Sequence, residues 1–381
     1  HVKGIVDTMW SSNYNAIANC NYLLQNIEKK GSVMSERLRN VVEGEALALR
    51  AFLHFDLLRG YAPSYKMGKD EPAIPYVREV TNSPVVQSTV AEVLEYILTD
   101  LKTAQALLKP VDPIGPSFAE YNDKLEYGMD EYITDDGFWL YRKSRLNYYG
   151  VTALMARVYL CQENLTDALA CAQEVIDSKR FEFMNDSINN VYAYRNLSYI
   201  EKMARHEYVS SLDVYDLKEG RSDLFFKNLA SCECVIAEGR KASIYSGMGQ
   251  DLDIRSKNWF ETPAGSATEY VNKYMRGPQI PLLKLSEMYL IAAEASGDIR
   301  YLETLRANRG YATDPLPAGA NLQDEITKEY QKEFIAEGQL FYYYKRRNMA
   351  ILPITSTSMN RATYVLPVPD NELEFGNFKQ N

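Results

Sequence analysis

Few residues in this chain could do acid–base or metal chemistry, and their spacing limits what they can do. There are three histidines: His1, His54 and His206. A histidine works as a base or ligand only where a partner orients one ring nitrogen. His54 falls within an apolar helical stretch, Leu47 to Leu58, which makes it a core or seam residue. His206-Glu207 lacks the second histidine that a zinc-protease helix places four residues on. No Gly-x-Ser-x-Gly elbow exposes a nucleophilic serine. Asp130, Glu131, Asp135 and Asp136 form the densest acidic cluster. Calcium favours several oxygens, but this is not the spacing of an EF-hand loop, so a solvated acidic loop is expected. A glycosidase needs two carboxylates across a bond, and nothing selects such a pair. The five cysteines (Cys20, Cys161, Cys171, Cys232 and Cys234) are odd in number and few for this length, so no disulfide framework is implied. Cys161 and Cys171 read as small core residues on helices. The expectation is a protein with no catalytic residues, no metal and no cofactor.

Aromatic residues suit a different task. The chain has 29 Tyr, 13 Phe and 3 Trp in 381 residues. A sugar ring has an apolar face for an aromatic side chain and a polar rim for Asn, Asp or Arg. Such platforms belong on loops held by a rigid frame. Trp139 and Tyr141 lie in an acidic, Tyr-rich stretch at 111–143, and Trp259 and Tyr270 in a Gly/Ser/Asp-rich stretch at 209–280. Tyr65 lies in the proline-bearing segment 61–86, and Trp10 at the start of the first helix. These six are the candidate ligand-binding residues. The formal net charge of −9 argues against a nucleic-acid partner and against adsorption to anionic lipid.

The elements that would position these residues are mostly helical. Periodicity predicts helices near 9–28 and 35–60, then one through Leu108 that Ser88 could cap. A hairpin is expected at 145–161 and 164–177, its second arm capped by Asn164. Later helices are expected at 281–296, with Pro281 in the first turn, at 298–309 after Asp298, and near 322–337 and 338–348. Tyr364 to Pro369 reads as an extended closing segment. In the second helix Leu49, Phe52, Leu53 and Leu57 make an apolar stripe. Gly44, Ala46, Ala48 and Ala51 keep it thin enough for close packing, and Asp56 can pair with Arg59. The architecture is mainly α: tetratricopeptide-like helical hairpins with long irregular loops and few short strands. The scaffold is expected mainly at 9–108, 145–177 and 281–348, and the binding face mainly at 61–86, 111–143 and 209–280.

Six blocks in order resemble the SusD/RagB family of starch-utilisation-type lipoproteins of Bacteroidetes. They are Trp10–Asn19, Gly44–Tyr61, Arg145–Leu160, Pro281–Ala295, Lys332–Phe341 and Tyr364–Glu372. Lys284 stands where the family usually has Arg, and Tyr342-Tyr343-Tyr344 replaces a more common Phe-Asp-Leu. The helix carboxylates Glu45, Glu287, Glu294, Glu333 and Glu337 are expected to pair with Arg50, Arg157 or Arg306, or with loop amides, rather than to catalyse. The resemblance implies one domain over 1–381. It also implies a surface lipoprotein of the outer membrane that captures oligosaccharide for a SusC-like TonB-dependent transporter, over which it sits as a lid. RagB-like relatives handle peptides instead, which keeps a peptide ligand as the alternative. No apolar run approaches the roughly 18 residues of a membrane span. The chain opens at His1 without Met or a signal peptide, and reads as a processed or trimmed fragment of an anchored protein.

Overall fold

Short local signals start most helices where the sequence places them. The computed structural model describes residues 2–118, 138–139, 142–183, 205–214, 235–236, 239–245, 252–262, 269–271, 273, 279–376 and 378. The acidic cluster at Asp130–Asp136, Tyr141, Cys232 and Cys234 lie outside the described residues. The chain divides into two compact units, His1–Cys171 with Tyr342–Asn381, and Ala172–Phe341.

The first unit begins with α1 (Val2–Lys30) and α2 (Glu36–Tyr61). Ser35 caps α2 by accepting the Leu38 N–H at 3.3 Å. The 61–86 connection is not structureless: it holds one helical turn, Tyr65–Gly68, and the strand β1 (Pro72–Pro75). β1 pairs antiparallel with β2 (Gln87–Thr89). The cap of α3 (Val90–Leu108) is Thr89 rather than Ser88, because Thr89 and Glu92 bind each other's backbone N–H in a reciprocal box. Asn147 caps α4 (Tyr148–Cys161), and Asn164 accepts the Asp167 N–H at the start of α5 (Leu165–Asp177). Gly44 of α2 has no room for a side chain. A Cβ there would lie 2.9 Å from Leu108 Cγ and 3.3 Å from the Ala104 carbonyl oxygen, so α2 and α3 meet almost backbone to backbone. Asp56 and Arg59 pair as their spacing predicts, whereas Leu49 is exposed and drops out of the apolar stripe.

The second unit contains β3 (Tyr208–Asp213) and short strands β4 (Val235–Ile236), β5 (Phe260–Glu261) and β6 (Glu269–Val271), the last three ordered β4-β6-β5. β7 (Gln279–Lys284) pairs antiparallel with β3, which corrects the expected helix start at Pro281. Pairing with a strand some 70 residues away, Ser211 opposite Pro281, overrides the local helix signal, and α6 begins only at Leu285 (Leu285–Ser296). Then come α7 (Ile299–Arg306), capped by Asp298, α8 (Leu322–Glu333) and α9 (Gln339–Arg346), within which the second boundary between the units falls. Gly310 has φ 105°, and a Cβ there would sit 2.2 Å from the Leu252 carbonyl oxygen, so only glycine fits.

Charge, as well as apolar packing, fills the centre of the second unit. Among the described residues, five carboxylates (Glu207, Asp253, Glu329, Glu333, Glu337) face six cations (Arg255, Lys273, Lys284, Arg306, Arg309, Lys332). Glu333 lies at the hub. It accepts from Arg255 at 3.0 Å, from Arg309 at 3.1 Å, from Lys284 at 3.2 Å and from the Ser286 hydroxyl at 2.8 Å. Burial alone would raise its carboxyl pKa, but Arg309, Lys284 and Arg255 hold it well below the usual range. Burial pulls Lys273 down to about 8 despite Glu337. The expected pairing of Glu333 and Glu337 is therefore correct in kind, with different partners. Glu45 likewise binds Arg142 and Arg145 rather than Arg50. Glu333→Gln should leave buried cations short of a counter-charge and cost about 3–5 kcal/mol in urea unfolding. A loss below about 1 kcal/mol would mean the network tolerates the missing charge.

Candidate functional site

The structure covers most of the rings that the sequence offers as platforms. Trp10 is 2% exposed, with ring centres of Tyr14, Tyr61 and Phe378 4.9–5.7 Å away. Trp259 is 2% exposed, with the Lys273 ammonium 3.8 Å from its ring centre. Tyr270 is buried in β6, opposite Val235 and Glu261. Trp139 is 9% exposed, under the Arg37 guanidinium at 4.7 Å and against Phe138. A sugar cannot stack on a covered face, so these four are corrected from platforms to packing residues of this conformation. Tyr141 lies outside the described residues. Tyr65 alone is half-buried, and it lines a small pocket at the end of α2. Trp10, Tyr65 and Trp139 belong to the first unit, Trp259 and Tyr270 to the second.

An open polar groove in the first unit offers a better surface. Its volume is ≈ 530 Å³, within the range of ligand sites. One wall comes from α1, where Asn21, Gln25 and Glu28 share a face at helical spacing. The facing wall comes from α2, where Arg39, Glu43, Leu47 and Arg50 form a stripe. Arg78, Glu79 and Val80 close one end. The polar ends of Gln25, Glu28, Arg39 and Glu43 make no hydrogen bond or ion pair with another described residue. They supply donors and acceptors that water or a hydroxylated ligand can satisfy.

Buried interactions hold the walls. The Arg50 guanidinium donates to both Asp100 oxygens at 2.7 Å, to Asn21 Oδ1 at 2.8 Å and to the Arg78 carbonyl at 2.9 Å. Asn21 in turn donates to the Val77 carbonyl at 3.1 Å. Tyr76 donates its hydroxyl to Asp100 at 2.6 Å. Burial and the Asp100 charge push that phenol far above its ordinary range, so it stays a donor. Arg78 is exposed, and its guanidinium lies over Tyr96, 3.9 Å from the ring centre. Tyr96 is half-buried, a ring that the sequence did not single out.

His54 has the seam role its context suggests. It is fully buried and stacked on Tyr76 at 3.9 Å. Its Nε2 accepts the Val77 N–H at 3.0 Å, so Nδ1 carries the proton and donates to the Arg50 carbonyl at 2.8 Å. The ring thus joins α2 to the segment that closes the groove, and it must stay neutral to do so. Burial holds its pKa at about 3.

This groove lies wholly inside the part of the chain that a known family describes. Residues 2–112 match the SusD-like family described as starch-binding and associating with the outer membrane. Over nearly its whole length the chain has the fold of SusD superfamily proteins. One such protein from Bacteroides thetaiotaomicron is 21% identical with a TM-score of 0.74, covering 98% of this chain and 84% of that one. A SusD-like carbohydrate-binding protein from Bacteroides vulgatus is 18% identical with a TM-score of 0.69, covering 97% and 83%. A laminarin-binding SusD-like protein is 19% identical with a TM-score of 0.67, covering 98% and 85%. No curated protein matches the sequence. The chain thus has a SusD-like fold, and its first 112 residues resemble the SusD-like family, in line with the six sequence blocks.

The His54 arrangement makes acid stability testable. The unfolded chain protonates this ring near 6.5, whereas the folded chain holds out to about 3. Its contribution is complete above pH 6.5 and is lost as pH falls from there toward 3. Between pH 6.5 and 5, where most carboxylates stay ionised, the urea stability should fall by about 1.6 kcal/mol. His54→Gln, which keeps an acceptor without titrating, should lose little over that interval. Equal losses in both proteins would contradict the neutral-ring assignment.

Proposed function

We propose that this chain is a cell-surface binding protein that captures oligosaccharide in the groove between α1 and α2. The observation that carries the reading is the set of hydrogen-bonding side chains on that groove, unspent on the protein and held by the Arg50 network. Neutral sugars need hydroxyl partners at fixed positions more than they need charge, and the groove supplies amide, carboxylate and guanidinium groups together. The laminarin-binding relative supports a glycan ligand. Among the described residues no helix is long and apolar enough to cross a membrane.

The finer reading follows the family. The chain acts as one SusD/RagB-like domain, lipid-anchored at the outer membrane, and delivers its ligand to a SusC-like TonB-dependent transporter. It binds without catalysing, and no group of residues able to hold a metal ion is present among the described residues. Affinity for each site is modest, because a flexible polymer loses conformational entropy on binding.

Arg78→Ala and Gln25→Ala should each weaken retention on a polysaccharide affinity gel by about three- to tenfold, the loss of one or two hydrogen bonds, with the melting temperature nearly unchanged. Trp259→Ala should unsettle the second unit without changing retention at temperatures where it stays folded. Retention that is insensitive to Arg78 and Gln25 would remove the groove as the site. A protein that holds peptides and no glycan would replace the ligand class.

A further inference from the structure

A second concave site lies at the C-terminal end of α2, and its chemistry differs from that of the groove. The pocket measures ≈ 40 Å³. One water needs roughly 10–15 Å³ on this measure, so the space holds about three water-sized groups, the size of a carboxylate with its carbon. Arg59, Lys345 and Arg346 line it, and no acidic residue is among the described lining residues. Asp56, the partner of Arg59, is not part of the lining.

Two donors there are under-used. Ser64 precedes the single turn Tyr65–Gly68, but its hydroxyl caps nothing, and Ser64 Oγ is buried without a partner. Lys345 is 3% exposed and donates to the Arg59 carbonyl at 2.6 Å and, weakly, to the Gly60 carbonyl at 3.4 Å. An ammonium has three N–H groups, so one has no acceptor among the described residues. Half-buried Tyr65 and Tyr342 flank the pocket, and the Arg59 guanidinium lies 4.1 Å above the Tyr342 ring.

We infer that this pocket binds the carboxylate of a uronic acid residue in an acidic oligosaccharide, with Ser64 and Lys345 as donors and Tyr65 beside the sugar ring. The inference rests on the glycan-binding reading and names a charged sugar class for it. A peptide C-terminus presents the same carboxylate, but its following amides need partners. Among the described residues, the lining supplies rings and apolar side chains such as Pro63 and Leu94 rather than carboxylate acceptors for such amides. Burial and neighbouring Arg59 pull Lys345 down to about 7, and a bound carboxylate would hold it charged.

The test is calorimetric titration of the full chain with trigalacturonate, with its methyl ester, with a neutral laminari-oligosaccharide and with short peptides bearing a free C-terminus. Trigalacturonate should bind about tenfold more tightly than its ester, the worth of a charge-assisted hydrogen bond. Ser64→Ala should reduce that preference severalfold without changing thermal stability, and Lys345→Gln should abolish it. If Lys345→Gln does not fold, because its ammonium also closes the end of α2, Ser64→Ala decides the matter alone. Equal affinity for acid and ester overturns the inference. So does a preference untouched by Ser64→Ala, or Ser64-dependent binding of peptides in place of uronates. If the neutral oligosaccharide binds and the acid gains nothing, only this pocket fails. If no sugar binds, the glycan reading fails with it.

Discussion

One buried guanidinium organises the first unit. Arg50 on α2 grips Asp100 on α3 with two parallel bonds, Asn21 on α1 with a third, and the backbone of Arg78 with a fourth. A forked cation can satisfy partners on three sides at once, which a lysine at this position could not. Desolvating it is costly, so the charge contributes only because every acceptor is in place. Position follows from this: α1, α2 and the 77–80 segment are held at a spacing that leaves a polar groove open between them. His54 adds a neutral link between the same elements. The groove is therefore a by-product of how the helices are fastened, which is what a rigid recognition surface requires.

The second unit uses the same chemistry for a different end. Its carboxylates and cations are almost wholly buried against one another, with Glu333 touching both arginines at the centre. Each of these five described carboxylates has at least one cation partner, and burial and pairing together shift the pKa values of Glu333 and Lys273. Perturbed titration alone would have suggested a catalytic centre. Geometry argues for a scaffold, because Arg255, Arg309 and Glu333 are all under 2% exposed and face one another.

What the sequence made legible was local. Ser35, Asn164 and Asp298 announce helix starts by residue type, and all three serve as caps. Thr89 displaces Ser88 because only Thr89 stands three residues before Glu92. Pro281 misled because the partner of β7 is remote in sequence. Ring burial was not legible at all. Nothing near Trp259 in sequence says that Lys273 will cover it, and Trp10 is enclosed by Phe378 from the other end of the chain. The groove had a signal that aromatic content masked: polar residues at 21, 25 and 28, and again at 39, 43 and 50, fall where two packed helices would otherwise put apolar side chains. Arg78 needed the tertiary structure, since its partner Tyr96 lies beyond β2, on α3.

The central claim is that ligand meets the protein along α1, α2 and the 78–80 segment, with the loops playing no greater part than these helices. Hydrogen–deuterium exchange with and without a saturating glycan tests this most directly, because it maps contact without altering any residue. The account predicts slowed exchange confined mainly to residues 21–28, 39–50 and 77–80. Protection centred on residues 138–147 or 252–271, with those three segments unchanged, would contradict it.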